Sequence, residues 1–325
     1  MAKILVTGGA GYIGSHVVRQ LGEQGHDIIV VDDLSTGRKE AVLFGKLLIF
    51  NIYDTDKMKT LLQEESFDAC LHFAGSIIVP ESVENPIKYY DNNTLNTYEL
   101  LKLLKEFKVD NFIFSSTAVV YAPSKEGIYT EESLKSPISP YGKTKYITEL
   151  MLEDFANAYK DFNYVVLRYF NVAGASLDGK LGQAGPNASH LIKIASQLAC
   201  GKREFMNLYG DDYDTNDGTC IRDYIHIEDL ASAHIAALDY LLDGGSSDTF
   251  NCGYSKGSSV KEVISVMESV INGKLNVIKT GRRAGDAPTL ISDATKIRKK
   301  LHWTPKYDDL ALICKTALEW EKLLD

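Results

Sequence analysis

Seven residues near the amino terminus, Gly8-Gly9-Ala10-Gly11-Tyr12-Ile13-Gly14, constrain this chain more than any other stretch. They follow a short apolar run at residues 4–7 and open onto an amphipathic helical pattern at 12–24. Glycine suits such a position because the backbone turns sharply and must approach a pyrophosphate closely. The helix N-terminus then stabilises the negative charge. A second apolar run at 28–32 ends in Asp32, eighteen residues beyond Gly14. A carboxylate there accepts hydrogen bonds from both ribose hydroxyls of an adenosine and repels a 2′-phosphate, so the expected cofactor is NAD, not NADP.

The alternation continues beyond this unit. Further strand patterns occur at 47–50, 69–73, 112–115 and 164–168, with helical patterns at 57–64, 92–107 and 141–158. Strand and helix repeated this way predict an α/β fold, a Rossmann-type doubly wound parallel sheet that binds its ligands beyond the carboxyl ends of the strands. After Arg168 the texture shifts to Gly- and Asn-containing loops, 171–187 and 208–219, separated by helical patterns such as 191–199 and 293–301. At 325 residues the chain exceeds what one core usually supports. The expected division is an NAD-binding domain over 1–172 and a smaller mixed α/β substrate lobe over 173–325, with 222–252 returning to the first domain.

Composition excludes several function classes. A net charge of −9 does not supply the clustered cations that bind nucleic acid, so an anionic ligand must be held locally. No stretch approaches the roughly 18 apolar residues of a membrane span. Five cysteines stand far apart with no C-x-x-C pair, which fits reduced thiols, a cytoplasmic location and no metal site. The acidic run from Asp211 to Asp217 lacks the glycine and terminal glutamate of an EF-hand and is expected to be a solvated loop.

The chemistry is expected where the fifth strand pattern meets the next helix. Ser115-Ser116-Thr117 ends that strand, and Ser139-Pro140-Tyr141-Gly142-Lys143-Thr144-Lys145 starts the helix, with Pro140 as its first residue. Tyr141 and Lys145 are then four apart on one face. An unperturbed tyrosine, with a pKa near 10, is a poor base. A nearby ammonium, helped by a cationic nicotinamide, favours the phenolate and lets Tyr141 take a hydroxyl proton during hydride transfer. Thr117 can hydrogen-bond the same oxygen. His72 and His226 are expected to be structural.

These motifs, with Leu167-Arg168-Tyr169-Phe170-Asn171, the segment Gly218 to His226, and Arg282-Arg283-Ala284-Gly285-Asp286, make the chain resemble the extended short-chain dehydrogenase/reductase family and, within it, the UDP-glucose 4-epimerases. The resemblance implies a cycle in which the 4-hydroxyl of a UDP-sugar is oxidised and the 4-keto sugar is reduced from its other face. It places Tyr141, Lys145 and Thr117 as catalytic residues. It implies cofactor contacts from Gly8, Gly11, Tyr12, Ile13, Gly14, Asp32, Asn51, Ile52, Phe73, Ala74, Asn92, Ser115, Tyr141, Lys145 and Phe170. It implies substrate contacts from Thr117, Tyr141, Asn171, His190, Leu191, Asn207, Tyr209, Arg222, Arg283, Asp286 and Leu290. A homodimer is implied as well.

Two other functions compete. Dehydratases resembling this family carry an Asp-Glu pair after the catalytic threonine, where this chain has Ala118 and Val119. A non-catalytic NAD-binding regulator would be expected to have lost Tyr141 or Lys145, and both are present. Ile77 stands where many epimerases carry a cofactor-contacting lysine, and Asn51 replaces an aspartate. His190 replaces an asparagine near the sugar, and Leu290 occupies a gate that is tyrosine in enzymes restricted to plain hexoses. The smaller Leu290 extends the expected substrates to UDP-N-acetylhexosamines.

Overall fold

The computed structural model describes residues 1–185, 189–283 and 286–324. The first half builds β1 (Lys3–Thr7), α1 (Tyr12–Glu23), β2 (Asp27–Asp32), β3 (Lys46–Ile49), α2 (Thr55–Glu64), β4 (Ala69–His72), α3 (Val79–Glu84), α4 (Pro86–Tyr89), α5 (Asn96–Glu106), β5 (Asn111–Thr117), β6 (Ile128–Tyr129), α6 (Pro140–Ala158) and β7 (Asn163–Tyr169). Then come β8 (Asn171–Ala173), α7 (Leu191–Ala199), β9 (Met206–Tyr209), β10 (Ile221–Arg222), β11 (Tyr224–His226), α8 (Ile227–Leu242) and β12 (Asp248–Cys252). Last are β13 (Ser258–Ser259), α9 (Val260–Ile271), β14 (Val277–Thr280), β15 (Thr289–Ser292), α10 (Thr295–Lys300) and α11 (Leu310–Leu323).

The main sheet has seven strands in the order β3-β2-β1-β4-β5-β7-β12, and every neighbouring pair is parallel. This is the doubly wound sheet expected from the alternation. Because β1 has β2 on one side and β4 on the other, the strand order reverses there and opens a crevice beyond the strand ends. Such strands are buried on both faces, so they read as continuous apolar runs. Ile4, Val6, Val30, Leu71, Ile113 and Leu167 face one core, with Val17, Val18 and Leu21 of α1 and Leu230, Ala233 and Leu238 of α8. Leu5, Val31, Cys70, Phe112, Phe114 and Val166 face the other, with Leu61 of α2, Leu100 and Leu104 of α5 and Leu152 of α6. β12 returns late in the chain to pair with β7 from Asp248↔Val165 to Cys252↔Tyr169.

Beyond the large sheet lie a four-stranded sheet, β13-β10-β15-β6, and the two-stranded sheets β11-β8 and β14-β9. Helix α11 packs on α7 and α9. One helix differs from expectation. The pattern at 92–107 predicts a continuous α-helix, but Tyr90–Leu95 is a π-helical turn and the α-helix starts at Asn96. The cause is side-chain competition for the backbone: the Asn93 carbonyl accepts the Thr97 hydroxyl at 2.7 Å and the Thr148 hydroxyl at 3.4 Å. Such turns cluster at functional sites. The predicted loop over 171–187 ends, at Asn187, outside the described residues.

Candidate active site

The glycine turn is built for a close approach. Gly8 has φ +73°, and a Cβ on it would lie 2.4 Å from the Ala74 amide nitrogen. A Cβ on Gly14 would lie 2.4 Å from the Gly8 carbonyl oxygen, so α1 can dock on the turn only without one. At Gly11, which caps α1, a Cβ would meet nothing closer than the Gly8 oxygen at 3.3 Å, leaving that side open. No side chain caps this helix and its first turn holds no acid, so its amide donors are free for an anion.

Asp32 ends β2 beside this turn. It accepts the Ala10 N–H at 2.9 Å through one oxygen and the Leu34 N–H at 2.9 Å through the other. Burial raises its carboxyl from the usual value, and the two backbone donors oppose that shift. A carboxylate has about four acceptor positions, so two bonds leave room for a pair of ribose hydroxyls. The cradle of Gly8, Gly11, Gly14 and Asp32 therefore fits an adenosine dinucleotide.

Other expected cofactor residues sit at several distances from this cradle. Ala74 donates its N–H to the Thr7 carbonyl at 3.1 Å, which ties the end of β4 to that of β1. The Phe73 ring packs 4.9 Å from the His234 ring. Ile52 is buried, whereas Asn51 is exposed and donates to Asp33 at 2.7 Å. The Tyr12 hydroxyl donates to the Gly174 carbonyl at 2.7 Å, and Ile13 packs on the core of that face. Asn92 donates to the Ser76 hydroxyl at 2.9 Å. Ile77, where a lysine would contact the cofactor, is 57% exposed. His72 bridges Thr7 Oγ1 at 2.6 Å and Thr97 Oγ1 at 2.9 Å, and burial pushes it down to about 3. It is a neutral cross-strand brace. His226 likewise receives the Glu228 N–H and bonds Thr316.

Tyr141, Lys145 and Thr117 come together where β5 meets α6, and all three are buried. Ser139 caps α6 by accepting the Gly142 N–H at 3.1 Å, with Pro140 as its first residue. Thr117 Oγ1 accepts the Val119 N–H at 3.2 Å and lies on the side of the Tyr141 phenol. The electrostatics differ from expectation. Burial pushes the Tyr141 phenol well above its usual value, and Thr117 opposes that rise. Lys145 donates to the Ser115 carbonyl at 2.9 Å and lies 4.7 Å from the Phe114 ring centroid, while burial lowers it to about 8. The ammonium is thus anchored on β5, at the same end of α6 as Tyr141. The Ser115 hydroxyl bonds the Tyr169 hydroxyl at 2.9 Å.

The expected substrate residues form three groups. Leu290 packs on the apolar cluster of Ala118, Val120, Tyr121, Tyr129 and Phe170. Arg222 donates to the Ala287 carbonyl at 2.8 Å and approaches Asp286 at 3.5 Å. It does not pair with its neighbour Asp223, which instead accepts from Tyr254, Ser255 and Ser292, nor with Asp229, which binds the Tyr254 hydroxyl. The Arg283 guanidinium lies 3.9 Å over the Tyr209 ring, and Asn207 donates to the Tyr209 hydroxyl at 3.3 Å. Asp286 links the two arginines, since its N–H reaches the Arg283 carbonyl at 3.4 Å. Ala284 and Gly285 of this motif lie outside the described residues. Asn171 donates its N–H to the Asp223 carbonyl at 3.0 Å. His190 caps α7 just before Leu191 and its ring bonds Gln183 at 3.0 Å.

Residue types alone did not single out Asn93, Glu149 or Arg168. Asn93 accepts the Ser76 N–H at 2.7 Å and donates to Thr144 on α6 at 3.2 Å. Glu149 on α6 and Arg168 on β7 form a buried pair, with N···O of 2.6 Å. Its signal in the sequence was the third step of the series Tyr141, Lys145, Glu149. The acidic run at 211–217 is engaged by Lys279 on Asp211 and Arg282 on Asp212, and no group of metal-holding side chains occurs among the described residues. Nor is any helix there long and apolar enough to cross a membrane.

Residues 4–253 match the NAD dependent epimerase/dehydratase family. The chain belongs to that family. The epimerase/dehydratase chain is 47% identical to a UDP-glucose 4-epimerase of Azospirillum brasilense over 99% of its own length and 93% of the relative's. Its structure superposes on the Campylobacter jejuni UDP-Glc/GlcNAc 4-epimerase with a TM-score of 0.89 and 50% identity, covering 99% and 100% of the two chains. The Brucella ovis UDP-glucose 4-epimerase, solved in complex with NAD, gives 0.95 and 41% identity, covering 99% of each chain.

Proposed function

We propose that this chain interconverts UDP-glucose and UDP-galactose by transient oxidation at carbon 4 of the sugar, with NAD held by Gly8, Gly11, Gly14 and Asp32. Its family and near full-length similarity to UDP-glucose 4-epimerases support this. The observation that carries it is the end of β5, where Thr117 meets Tyr141 and Lys145 of α6 in buried positions while the next two positions, Ala118 and Val119, offer no acid or base. When bound, NAD supplies the acceptor and then the donor of hydride. Tyr141 takes the proton of the 4-hydroxyl as the ketone forms and returns it as the ketone is reduced, with Thr117 sharing that proton. Lys145 brings its positive charge to the same end of α6 and β5, favouring loss of the proton. Ala118 and Val119 cannot protonate a leaving 6-hydroxyl, which disfavours elimination. Reduction of the opposite face then yields the epimer with no net redox.

Arg222, Arg283 and Asn171 would hold the UDP diphosphate, a local cationic site in a chain of net charge −9. Leu290, against the cluster that includes Phe170, leaves room that tyrosine would fill, so UDP-N-acetylhexosamines are accepted as well. The working form is a homodimer: Leu95 and Tyr98 at the start of α5 and Leu150 on α6 are 52%, 41% and 42% exposed, apolar surface that a second copy would cover. Five unpaired cysteines, four of them buried, suit the cytoplasm.

Purified protein incubated separately with UDP-glucose and with UDP-galactose should converge on one mixture. A 4-keto-6-deoxy product would instead indicate dehydration, and binding without turnover a regulator. Light scattering on a sizing column checks the dimer.

A further inference from the structure

The site draws on three separate elements: Thr117 and the Ser115 carbonyl on β5, Tyr141 and Lys145 on α6, and, at the end of β7, Tyr169, which bonds the Ser115 hydroxyl. Backbone pairing holds β5 to β7, with Ser116 opposite Arg168. It does not hold α6 to either strand. The contact that joins all three is the Glu149 carboxylate. One oxygen accepts the Ser116 hydroxyl at 2.5 Å and Arg168 Nε at 3.0 Å, and the other accepts an Arg168 terminal nitrogen at 2.6 Å. Glu149 is 6% exposed, Ser116 is fully buried and Arg168 is 4% exposed.

Ser116 sits between Ser115, whose carbonyl anchors Lys145, and Thr117, the strand's last residue, on the side of Tyr141. Glu149 is one turn beyond Lys145 on the same face of α6. We infer that Glu149 is a positioning residue of the reaction: by gripping Ser116 and Arg168 together it sets the spacing of the Tyr141–Lys145 face of α6 from Thr117 and Ser115. This deepens the epimerase assignment and rests on it.

A buried ion pair is not by itself evidence of such a role, because neutral packing can often replace one without loss of stability. The distinction lies in turnover. Misplacement of reacting groups by about 1 Å can cost on the order of a hundred-fold in rate. A pair that only stabilises the fold would alter the unfolding midpoint and leave the turnover of folded protein unchanged.

Wild-type interconversion of UDP-glucose and UDP-galactose is measured first. Its absence refutes the epimerase assignment before any variant is compared. Ser116→Ala removes one hydroxyl and keeps the charge pair. It should fold with wild-type NAD content and KM for UDP-glucose, and lose roughly ten-fold or more in kcat. The double variant Glu149→Leu/Arg168→Met, which leaves no unpaired buried charge, should show the same loss of kcat at unchanged KM. A Ser116→Ala protein with kcat within about two-fold of wild type overturns the inference, as does a folded double variant with wild-type kcat. Should the double variant fail to fold, Ser116→Ala decides alone.

Discussion

At the scale of single residues, Tyr141 and Leu290 govern what happens to the sugar and which sugar is taken. Burial holds the Tyr141 phenol well above its usual value, so its proton stays on until substrate and cofactor change the surroundings. Tyr141→Phe removes the phenolic hydroxyl and should lower kcat by about 10²- to 10⁴-fold while the protein still retains NAD. Steady-state turnover and the absorbance of released cofactor check both halves of that statement. Leu290 packs against a small apolar cluster that includes Phe170, where a tyrosine would project further. Leu290→Tyr should abolish turnover of UDP-N-acetylglucosamine and keep that of UDP-glucose. Wild-type protein with good UDP-glucose activity and none on the N-acetyl sugar would show that leucine already closes the pocket.

At the scale of elements, the join between the π-helical turn and α6 is the most exposed to mutation. Asn93 is 3% exposed and its side chain makes three hydrogen bonds, to both backbone groups of Ser76 and to Thr144. Asn93→Ala leaves the Ser76 N–H without its partner and should destabilise the chain by about 1–3 kcal/mol, measured as a lower urea midpoint. The regular elements were legible because their signals are local. Residues 191–199 and 12–24 show their apolar face within one or two turns, and the helix starting at Pro140 announces its own cap. The π-helical turn was not legible, since it arises where side chains of Thr97 and of Thr148, on another helix, reach the Asn93 carbonyl. For 222–252 the sequence reading expects a return to the first domain, but which strand it joins, β12 beside β7 with Phe250 opposite Leu167, is a matter of tertiary pairing.

At the scale of the whole molecule, four fully or almost fully buried histidines set the acid limit. Burial lowers His16, His226 and His234 to about 4 and His72 to about 3, from 6.5. Between pH 6.5 and about 4 the unfolded chain therefore binds protons that the folded chain refuses. Stability is complete above 6.5 and is lost as the pH falls through that window. Each histidine contributes up to about 3 kcal/mol by the lower limit, and together they rival the roughly 5–15 kcal/mol that holds a typical fold. The buried carboxyls Asp32, Asp223, Glu131 and Glu228 are shifted upward from their usual values and act in the opposite sense within the same window, offsetting part of the histidine contribution. Circular dichroism should show cooperative unfolding between pH 4 and 6, and a chain still native at pH 3.5 would contradict this balance.

The order of strand, glycine turn and helix, the carboxylate ending the second strand, and the Tyr141–Lys145 spacing were determined by sequence alone, because each is a relation inside one element or across one turn. What lies opposite those residues was decided by tertiary structure. Lys145 finds the Ser115 carbonyl thirty positions away, Ser116 finds Glu149 across thirty-three, and Asn93 finds Thr144 across fifty-one. Arg222 turns to Asp286 when nearer acids are engaged elsewhere. Such meetings depend on the order in which parallel strands are laid down and on which face each crossover helix covers. No periodicity within a single segment encodes that order.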